Sequence, residues 1–121
     1  YENCSQEVSE NLKEIANALV MAGHPEQLIC LDPGIGFGKT LQHNMELLQN
    51  HEMFRGINNY SILWGVSRKS MISQLTGKTN TDDRLSGTLA IAAFAHNEGI
   101  DILRVHDVEE HIDLLKVLNN L

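Results

Sequence analysis

The sequence predicts an α/β fold in which parallel strands are joined by crossover helices. Segments with helical periodicity alternate with short apolar segments along the whole chain. The short apolar segments are three in number, and polar or charged residues follow directly after each. The elements read in the order αβαβαβα, which requires parallel strands because each connecting helix returns the chain to the same end of the sheet.

The first helix and the first strand are both clearly marked. Apolar residues recur at helical spacing over residues 5–21, and Gly23 ends this segment. The segment QLICL, residues 27–31, predicts a short buried strand. The glycine-rich loop LDPGIGFGKT, residues 31–40, follows it, as loops follow strands in such folds.

The remaining elements continue the alternation. Two further strands are predicted over residues 60–66 and 101–105, where short apolar segments occur. The helical patterns between and after these strands cover residues 41–54, 84–99 and 106–121. The helix over 84–99 is rich in small apolar residues and is apolar over more than one face.

This order of elements fits two architectures, a doubly wound sheet and a (β/α)8 barrel. A barrel needs about 250 residues. A chain of 121 residues would supply half of one, and three strands cannot close a barrel. Since the sequence starts at Tyr1 and not at Met, we expect a piece of a longer chain.

The glycine-rich loop resembles two phosphate-binding motifs and completes neither. A Walker loop needs glycine where Pro33 stands, and proline has no N–H to donate to a phosphate. The dinucleotide-binding motif G-x-G-x-x-G is matched by Gly34 and Gly36, but Lys39 stands where the third glycine is required. The loop also carries an acid, Asp32, directly after the apolar strand.

Composition and charge exclude several classes of partner. The net charge is −7 with nine basic residues, which argues against a nucleic-acid or anionic-membrane surface. No apolar segment approaches the roughly 20 residues of a membrane span. Cys4 and Cys30 form no C-x-x-C pair, and we expect free thiols in a cytoplasmic protein.

Chemically active residues follow each predicted strand. In parallel α/β proteins the carboxyl ends of the strands open onto one face, where ligands bind. These residues are Asp32 after the first strand, Ser67, Arg68, Lys69 and Ser70 after the second, and Arg104, His106 and Asp107 after the third. A mostly cationic cluster in a strongly acidic chain predicts an anionic ligand, such as a phosphate ester.

Structural roles for the same residues stay open at this point. Asp32 could cap the loop or the next helix, and Lys69 could be an ordinary residue of a first helical turn. Arg104 lies inside the predicted strand, where a charge is costly unless it is paired. His106 suits a hydrogen-bonded structural histidine as well as an anion donor.

The other aromatic and titratable residues suggest packing and surface positions. Phe37 and Trp64 are more typical of packing residues than of stacking platforms. Metal ligation finds little support, because the histidines have no cysteine pair beside them. We expect the five histidines other than His106 on the surface or on helix faces, namely His24, His43, His51, His96 and His111.

The motifs LDPGIGFGKT, GVSRKSMI and RVHDV, in this order and spacing, resemble those of dihydropteroate synthases. The resemblance extends through essentially the whole chain. It implies a parallel (β/α)8 TIM barrel, with residues 1–121 as the C-terminal half that holds the sixth to eighth strands. It also implies folate biosynthesis by transfer of a pterin from its diphosphate to 4-aminobenzoate, with release of pyrophosphate.

The resemblance assigns roles to individual residues. Asp32 corresponds to the acid that hydrogen-bonds the pterin ring, and Lys69 to the lysine beside the pterin and the aminobenzoate. Arg104 and His106 correspond to the pair that holds the diphosphate, so Lys69, Arg104 and His106 are the catalytic candidates. Further substrate-binding positions implied by the resemblance are Gly36, Phe37 and Ser70.

The resemblance also implies cofactors and partners. Mg2+ would be bound through the substrate diphosphate and a residue of the N-terminal half, with no metal ligand in this segment. A homodimer through the C-terminal helices and sensitivity to sulfonamides as a drug target are further family expectations. The segment alone is expected to be inactive. A corrinoid-dependent pterin methyltransferase and a catalytically silent homologue are the rival interpretations, although the first has no need of Arg104 and His106.

Overall fold

The computed structural model describes residues 1–121 as helices packed around a parallel sheet of three strands. The helices are α1 Cys4–Met21, α2 Leu41–Gln49, α3 Glu52–Arg55, α4 Ser70–Thr76, α5 Leu85–Asn97 and α6 Val108–Leu118. The strands are β1 Cys30–Leu31, β2 Ser61–Trp64 and β3 Ile102–Leu103, and single 3-10 turns cover Glu26–Leu28 and Thr81–Arg84.

The sheet places β2 between the other two strands. Cys30 is level with Ser61 in the β1–β2 ladder, and Leu63 is level with Ile102 in the β2–β3 ladder. Both pairings are parallel, so the carboxyl ends of all three strands lie along one edge. The predicted parallel α/β class is therefore confirmed.

The hydrophobic core forms around β2. Ile62 and Trp64 alternate with less buried neighbours along this strand and are almost fully buried. The Trp64 ring stacks on Phe94 of α5, with 6.1 Å between ring centroids and 11° between ring planes. Leu47 from α2 and Phe54 from α3 belong to the same buried cluster. The predicted packing role of Trp64 is thus confirmed.

Several element boundaries differ from the sequence-based prediction. The strands are shorter, because β1 and β3 pair on one side only and residues 27–28 belong to a 3-10 turn. The predicted helix over 41–54 is two helices, separated at Asn50 and His51. Helix α4 was not predicted, since its seven residues are too few for helical periodicity to stand out.

Two of the histidines expected on the surface or on helix faces, His51 and His111, have buried side chains. The ring of His51 packs edge-on against Trp64, with 6.0 Å between centroids, and each of its nitrogens lies 3.4 Å from a carboxylate oxygen, one of Glu52 and one of Glu98. His51 thus lies buried at the break between α2 and α3. His111 is buried on α6, where its Nδ1 donates to the carbonyl of Asp107 over 2.6 Å.

A charged cluster joins the amino ends of β2 and β3. Asp101 Oδ2 accepts hydrogen bonds from the Ile62 N–H and from Arg55 Nη1, each over 2.8 Å. Arg55 also donates to the backbone carbonyls of Tyr60 and Gly99. Burial opposes the charge of Asp101, but the hydrogen bonds from Ile62 and Arg55 outweigh it and lower the pKa of the carboxyl.

We predict that Asp101→Asn lowers the free energy of unfolding of the full-length protein by about 1–2 kcal/mol at pH 7, because a charge-assisted hydrogen bond is lost. A carboxyl with a lowered folded-state pKa stabilises the fold above its ordinary pKa and loses this effect as the pH falls. The difference between wild type and variant should therefore shrink below about pH 4. Urea unfolding across pH measures it, with Asp83→Asn at an exposed, unpaired acid as the control. A difference that does not change with pH would contradict the assignment.

Candidate functional site

The carboxyl edge of the sheet brings together residues that lie far apart in sequence. Asp32 follows β1 directly and Arg104 follows β3 directly. Their side chains form an ion pair across β2, with Arg104 Nη1 3.4 Å from Asp32 Oδ2. Arg104 was predicted inside its strand, but it lies just beyond the strand end and its side chain is 58% exposed. An exposed pair at this distance stabilises the fold little, so both groups keep capacity for a ligand.

A cavity of about 180 Å3 opens at this edge. Three nitrogen-bearing side chains line it, those of Lys69, Arg104 and His106. The rest of its wall comes from Gly65, Ser67 and Val105. A small cavity with three such donors suits an anion with several oxygen atoms, such as a phosphate or diphosphate.

Gly65 is required by the position of Arg104. The guanidinium of Arg104 lies against the glycine so closely that a Cβ at residue 65 would overlap it. Gly65 is itself buried, and its backbone has no positive φ, so space and not conformation demands the glycine. The absence of a side chain at residue 65 therefore lets Arg104 cross β2 toward Asp32.

The glycine-rich loop uses its own amides internally. The N–H of Gly34 donates to Asp32 Oδ1, the N–H of Gly36 to Asn44 Oδ1 and the N–H of Phe37 to the Gly34 carbonyl, over 2.9, 2.9 and 3.1 Å. Asn44 is buried at the start of α2 and holds the loop in place. The amides of Gly34, Gly36 and Phe37 are thereby engaged within the protein and are not free to bind a phosphate.

Lys69 joins this loop to the end of β2. Its Nζ donates to the carbonyl of Ile35 and lies 4.6 Å from the centroid of the Phe37 ring. Its stem passes over Gly36, where an added Cβ would lie 3.0 Å from Lys69 Cδ. Burial lowers the pKa of Lys69, although the nearby Asp32 carboxylate acts in the opposite direction.

His106 is held by Ser67, a residue to which the family resemblance assigned no role. Ser67 Oγ lies 2.9 Å from His106 Nδ1 and accepts the His106 backbone N–H over 3.2 Å. Beside this contact, Arg68 forms a bidentate ion pair with Asp107, with nitrogen–oxygen distances of 2.7 and 3.2 Å. These hydrogen bonds lower the pKa of the Asp107 carboxyl. In the sequence, these contacts are indicated only by two pairs of adjacent polar residues. Ser67 and Arg68 come after β2, and His106 and Asp107 come after β3.

The other candidate residues do not line the cavity. The Phe37 side chain is 66% exposed, and Gly36 lies beneath the stem of Lys69. Ser70 begins α4, is exposed and does not line the cavity. The structure thus brings Asp32, Lys69 and Arg104 together with His106, and it leaves Ser70 apart from them.

Carboxylates are scarce at this edge, which bears on metal binding. No three His, Cys, Asp or Glu side chains of the chain lie in an arrangement that could hold a metal ion. The two acids nearest the cavity are both engaged, Asp32 by Arg104 and the Gly34 amide and Asp107 by Arg68. None of the helices has the length and apolar character needed to cross a membrane.

Comparison with known proteins identifies the family. Residues 1–106 match the family described as "Pterin binding enzyme", a match that ends at His106 and includes Asp32, Lys69 and Arg104. The chain belongs to the pterin-binding enzyme family. The family assignment is consistent with the cavity, which combines a carboxylate with several cationic groups.

Relatives of this pterin-binding chain include named enzymes and solved structures. A dihydropteroate synthase of Neisseria meningitidis serogroup C is 45% identical over 116 residues, which cover 96% of this chain and 41% of that protein. The crystal structure of dihydropteroate synthase from Thermus thermophilus has a TM-score of 0.92 at 37% identity, covering 100% of this chain and 48% of the other. The structure of dihydropteroate synthase from Xanthomonas albilineans in complex with 7,8-dihydropteroate has a TM-score of 0.93 at 35% identity. The match covers 99% of this chain and 45% of the other.

These relatives decide between the two predicted architectures. They are TIM barrels, so the three βα units of the pterin-binding chain, preceded by α1, are part of a (β/α)8 barrel and not of a doubly wound sheet. The chain spans less than half the length of the relatives described above. The assignment of residues 1–121 to the C-terminal half stays a prediction.

The contact between Gly65 and Arg104 gives a direct test of the anion site. Gly65→Ala in the full-length protein should displace the guanidinium and weaken binding of inorganic pyrophosphate by about tenfold, the loss of one charge-assisted interaction. Calorimetric titration measures the affinity.

The matched control is the same substitution made together with Arg104→Ala. Without the arginine there is space for a methyl group, so Gly65→Ala should then change the affinity for pyrophosphate little. Equal losses in both backgrounds would show that Gly65 does not act through Arg104.

Proposed function

We propose that the full-length protein is a dihydropteroate synthase. It joins 6-hydroxymethyl-7,8-dihydropterin diphosphate to 4-aminobenzoate and releases pyrophosphate, in folate biosynthesis. The observation that carries the proposal is the convergence of Lys69, Arg104 and His106 on one cavity, with Asp32 paired to Arg104. The relatives support it, since they are dihydropteroate synthases and their solved structures include complexes with 7,8-dihydropteroate and with 4-aminobenzoate.

The diphosphate is assigned to Arg104 and His106. Negative charge grows on the leaving pyrophosphate as its bond to carbon breaks, so fixed donors at this point stabilise the transition state more than the ground state. Arg104 offers the further nitrogens of its guanidinium, since only Nη1 faces Asp32. His106 offers Nε2, because Ser67 engages Nδ1.

The pterin ring is assigned to Asp32. A carboxylate accepts two parallel N–H groups from a cyclic guanidine-like edge, which is the hydrogen-bonding edge of a pterin. Asp32 Oδ1 already accepts the Gly34 amide, which fixes the orientation of the carboxylate. Oδ2 is only 3.4 Å from Arg104, a loose contact that an incoming ring can replace.

Lys69 and Phe37 are assigned to the side of the site that receives the 4-aminobenzoate. The Lys69 ammonium lies between the Ile35 carbonyl and the face of the Phe37 ring. An exposed aromatic ring provides a surface for another ring, and the adjacent cation favours a carboxylate. Gly36 and Ser70 are assigned to the boundary of the same substrate path.

The reaction requires positioning more than activation. The C–O bond to pyrophosphate breaks, and the electron-rich dihydropterin delocalises the positive charge left on the methylene carbon. The neutral aromatic amine then forms the C–N bond and loses one proton to solvent. No covalent intermediate with the enzyme is needed, and the residues of the cavity act by orientation and charge stabilisation.

We keep Mg2+ as part of the proposal, with its ligands outside this chain. The residues around the cavity do not fit a metal site, since they are cationic and no group of three suitable ligands is present. Mg2+ would therefore be bound by the substrate diphosphate and by a residue that this chain does not contain. No step above depends on it. We also propose a cytoplasmic location, because Cys4 and Cys30 are free.

We further propose a homodimer of the full-length protein through α5 and α6. An open groove between these helices is lined by Leu89, Leu114 and Val117, together with two acids. Val117 is 61% exposed, and Phe94 on α5 is 39% exposed. An apolar surface of this kind on two adjacent helices favours association with a second copy.

Two substitutions in the full-length enzyme should affect different kinetic constants. His106→Ala should lower kcat about 10- to 1000-fold, because it removes a donor from the leaving group. Lys69→Ala should raise KM for 4-aminobenzoate as well as lower kcat. Steady-state kinetics of dihydropteroate formation measures both constants, on variants whose circular dichroism matches that of wild type. His24→Ala and Lys78→Ala, at exposed residues, are the controls. An unchanged kcat in His106→Ala would overturn the diphosphate assignment.

The proposed dimer predicts that Val117→Glu converts the full-length protein to a monomer. A glutamate in the groove would add a third negative charge beside Glu110 and Asp113 and would bury it in the interface. Sedimentation at micromolar concentration measures the change. Glu109→Lys on the same helix, outside the groove, should leave the dimer intact. A monomeric wild type would refute the dimer.

A further inference from the structure

Ser67 is a buried polar residue at the candidate site whose hydrogen bonds go to a single residue. It lies after β2, and both of its side-chain contacts reach His106, 39 positions further along the chain. Only 6% of its surface is exposed. A buried hydroxyl is costly unless it is hydrogen-bonded, so its position is fixed by the two contacts with His106.

The hydrogen-bond count at Ser67 determines which nitrogen of a neutral His106 carries the proton. A hydroxyl has one hydrogen to donate and two lone pairs to accept with. The backbone N–H of His106 occupies one lone pair, over 3.2 Å. The hydroxyl hydrogen has no acceptor other than His106 Nδ1, which is 2.9 Å away. Nδ1 therefore accepts, and the ring hydrogen lies on Nε2.

The same serine also suits a protonated His106. An imidazolium carries hydrogens on both nitrogens, and Nδ1–H can then donate to the second lone pair of Ser67 Oγ. Nε2 keeps its hydrogen in both states and makes no hydrogen bond to another residue of the chain. A carboxylate in place of Ser67 would also orient the ring, but it would add negative charge beside a site suited to anions.

We propose that Ser67 is a positioning residue that keeps Nε2–H of His106 available to the anion in the cavity, whether or not the ring is protonated. This inference rests on the proposed function, since the anion is the diphosphate of the pterin substrate. It adds Ser67 to the residues that the reaction depends on, although Ser67 itself need not touch the substrate.

Neighbouring contacts hold the Ser67 and His106 segments at the required distance. Arg68 and Asp107, the next residue in each segment, form the bidentate ion pair described above. The backbone of Arg68 is left-handed, with φ of 58°, and its N–H donates to the buried Thr88 hydroxyl over 3.1 Å. Such a conformation is costly for a residue with a side chain, so the surrounding contacts must maintain it.

The first test reads the tautomer of His106 directly and does not depend on activity. Two-dimensional 1H–15N NMR of the ring nitrogens in the full-length protein, above the pH range of histidine titration, should show the Nε2–H form in wild type. In Ser67→Ala the Nδ1–H form should gain population, because Nδ1 loses its donor. His106→Ala identifies the signals by their loss. An unchanged tautomer in Ser67→Ala would overturn the proposal.

The second test is a kinetic double-mutant cycle in dihydropteroate formation. Ser67→Ala should lower kcat about 3- to 10-fold, as expected for one lost neutral hydrogen bond. In a His106→Ala background the same substitution should leave kcat nearly unchanged, since Ser67 acts by orienting the imidazole ring that this variant lacks. Additive losses would show a general structural role and overturn the proposal.

Two variants complete the design. Ser67→Thr keeps the hydroxyl and should restore both the tautomer and most of kcat, whereas Ser86→Ala, at an exposed serine of α5, should change neither. If the full-length protein makes no dihydropteroate while the tautomer still depends on Ser67, the proposed function fails and the positioning of His106 stands. If it makes dihydropteroate while the tautomer does not depend on Ser67, the positioning role fails alone.

Discussion

The parallel pairing of β2 with a strand on each side decides where the chemical groups of this chain lie. Because β1, β2 and β3 run in one direction, the segments that follow them meet at one edge. Asp32 and Arg104 come from the outer strands and reach each other across Gly65 of the central segment. If residue 65 had a side chain, the carboxyl ends of the strands would still lie side by side. The Arg104 side chain could not then lie across β2 toward Asp32.

The electrostatic character of this edge differs from that of the chain as a whole. The chain carries a net charge of −7, yet the cavity is lined by Lys69, Arg104 and His106 and by no carboxylate. Cationic groups gathered in this way repel one another, and burial already lowers the pKa of Lys69. An anionic ligand relieves that repulsion, so binding offsets the unfavourable free energy of the unliganded arrangement.

The strand-end position of Asp32 could be predicted, as could the parallel α/β class, because strand periodicity and polar strand ends are local signals. The burial of His51 could not, since it depends on contacts with the distant residues Trp64 and Glu98. Ser67 and Gly65 were visible in the motif GVSRKSMI, but their roles come from side chains that arrive from the next strand. A sequence read along one strand gives no information about such neighbours.

The amino edge and the carboxyl edge of the sheet differ in how fully their charged groups are hydrogen-bonded within the protein. At the amino edge, Asp101 accepts two hydrogen bonds of 2.8 Å, and its partner Arg55 also donates to backbone carbonyls, so these groups have little capacity left. At the carboxyl edge, Asp32 and Arg104 are 3.4 Å apart and the Nε2 of His106 has no partner within the chain. Groups that hold a fold together use their hydrogen bonds within it, whereas groups that bind a substrate must keep some unused. By this criterion the carboxyl edge is built to bind a ligand, and the amino edge provides the rigidity that keeps its donors in position.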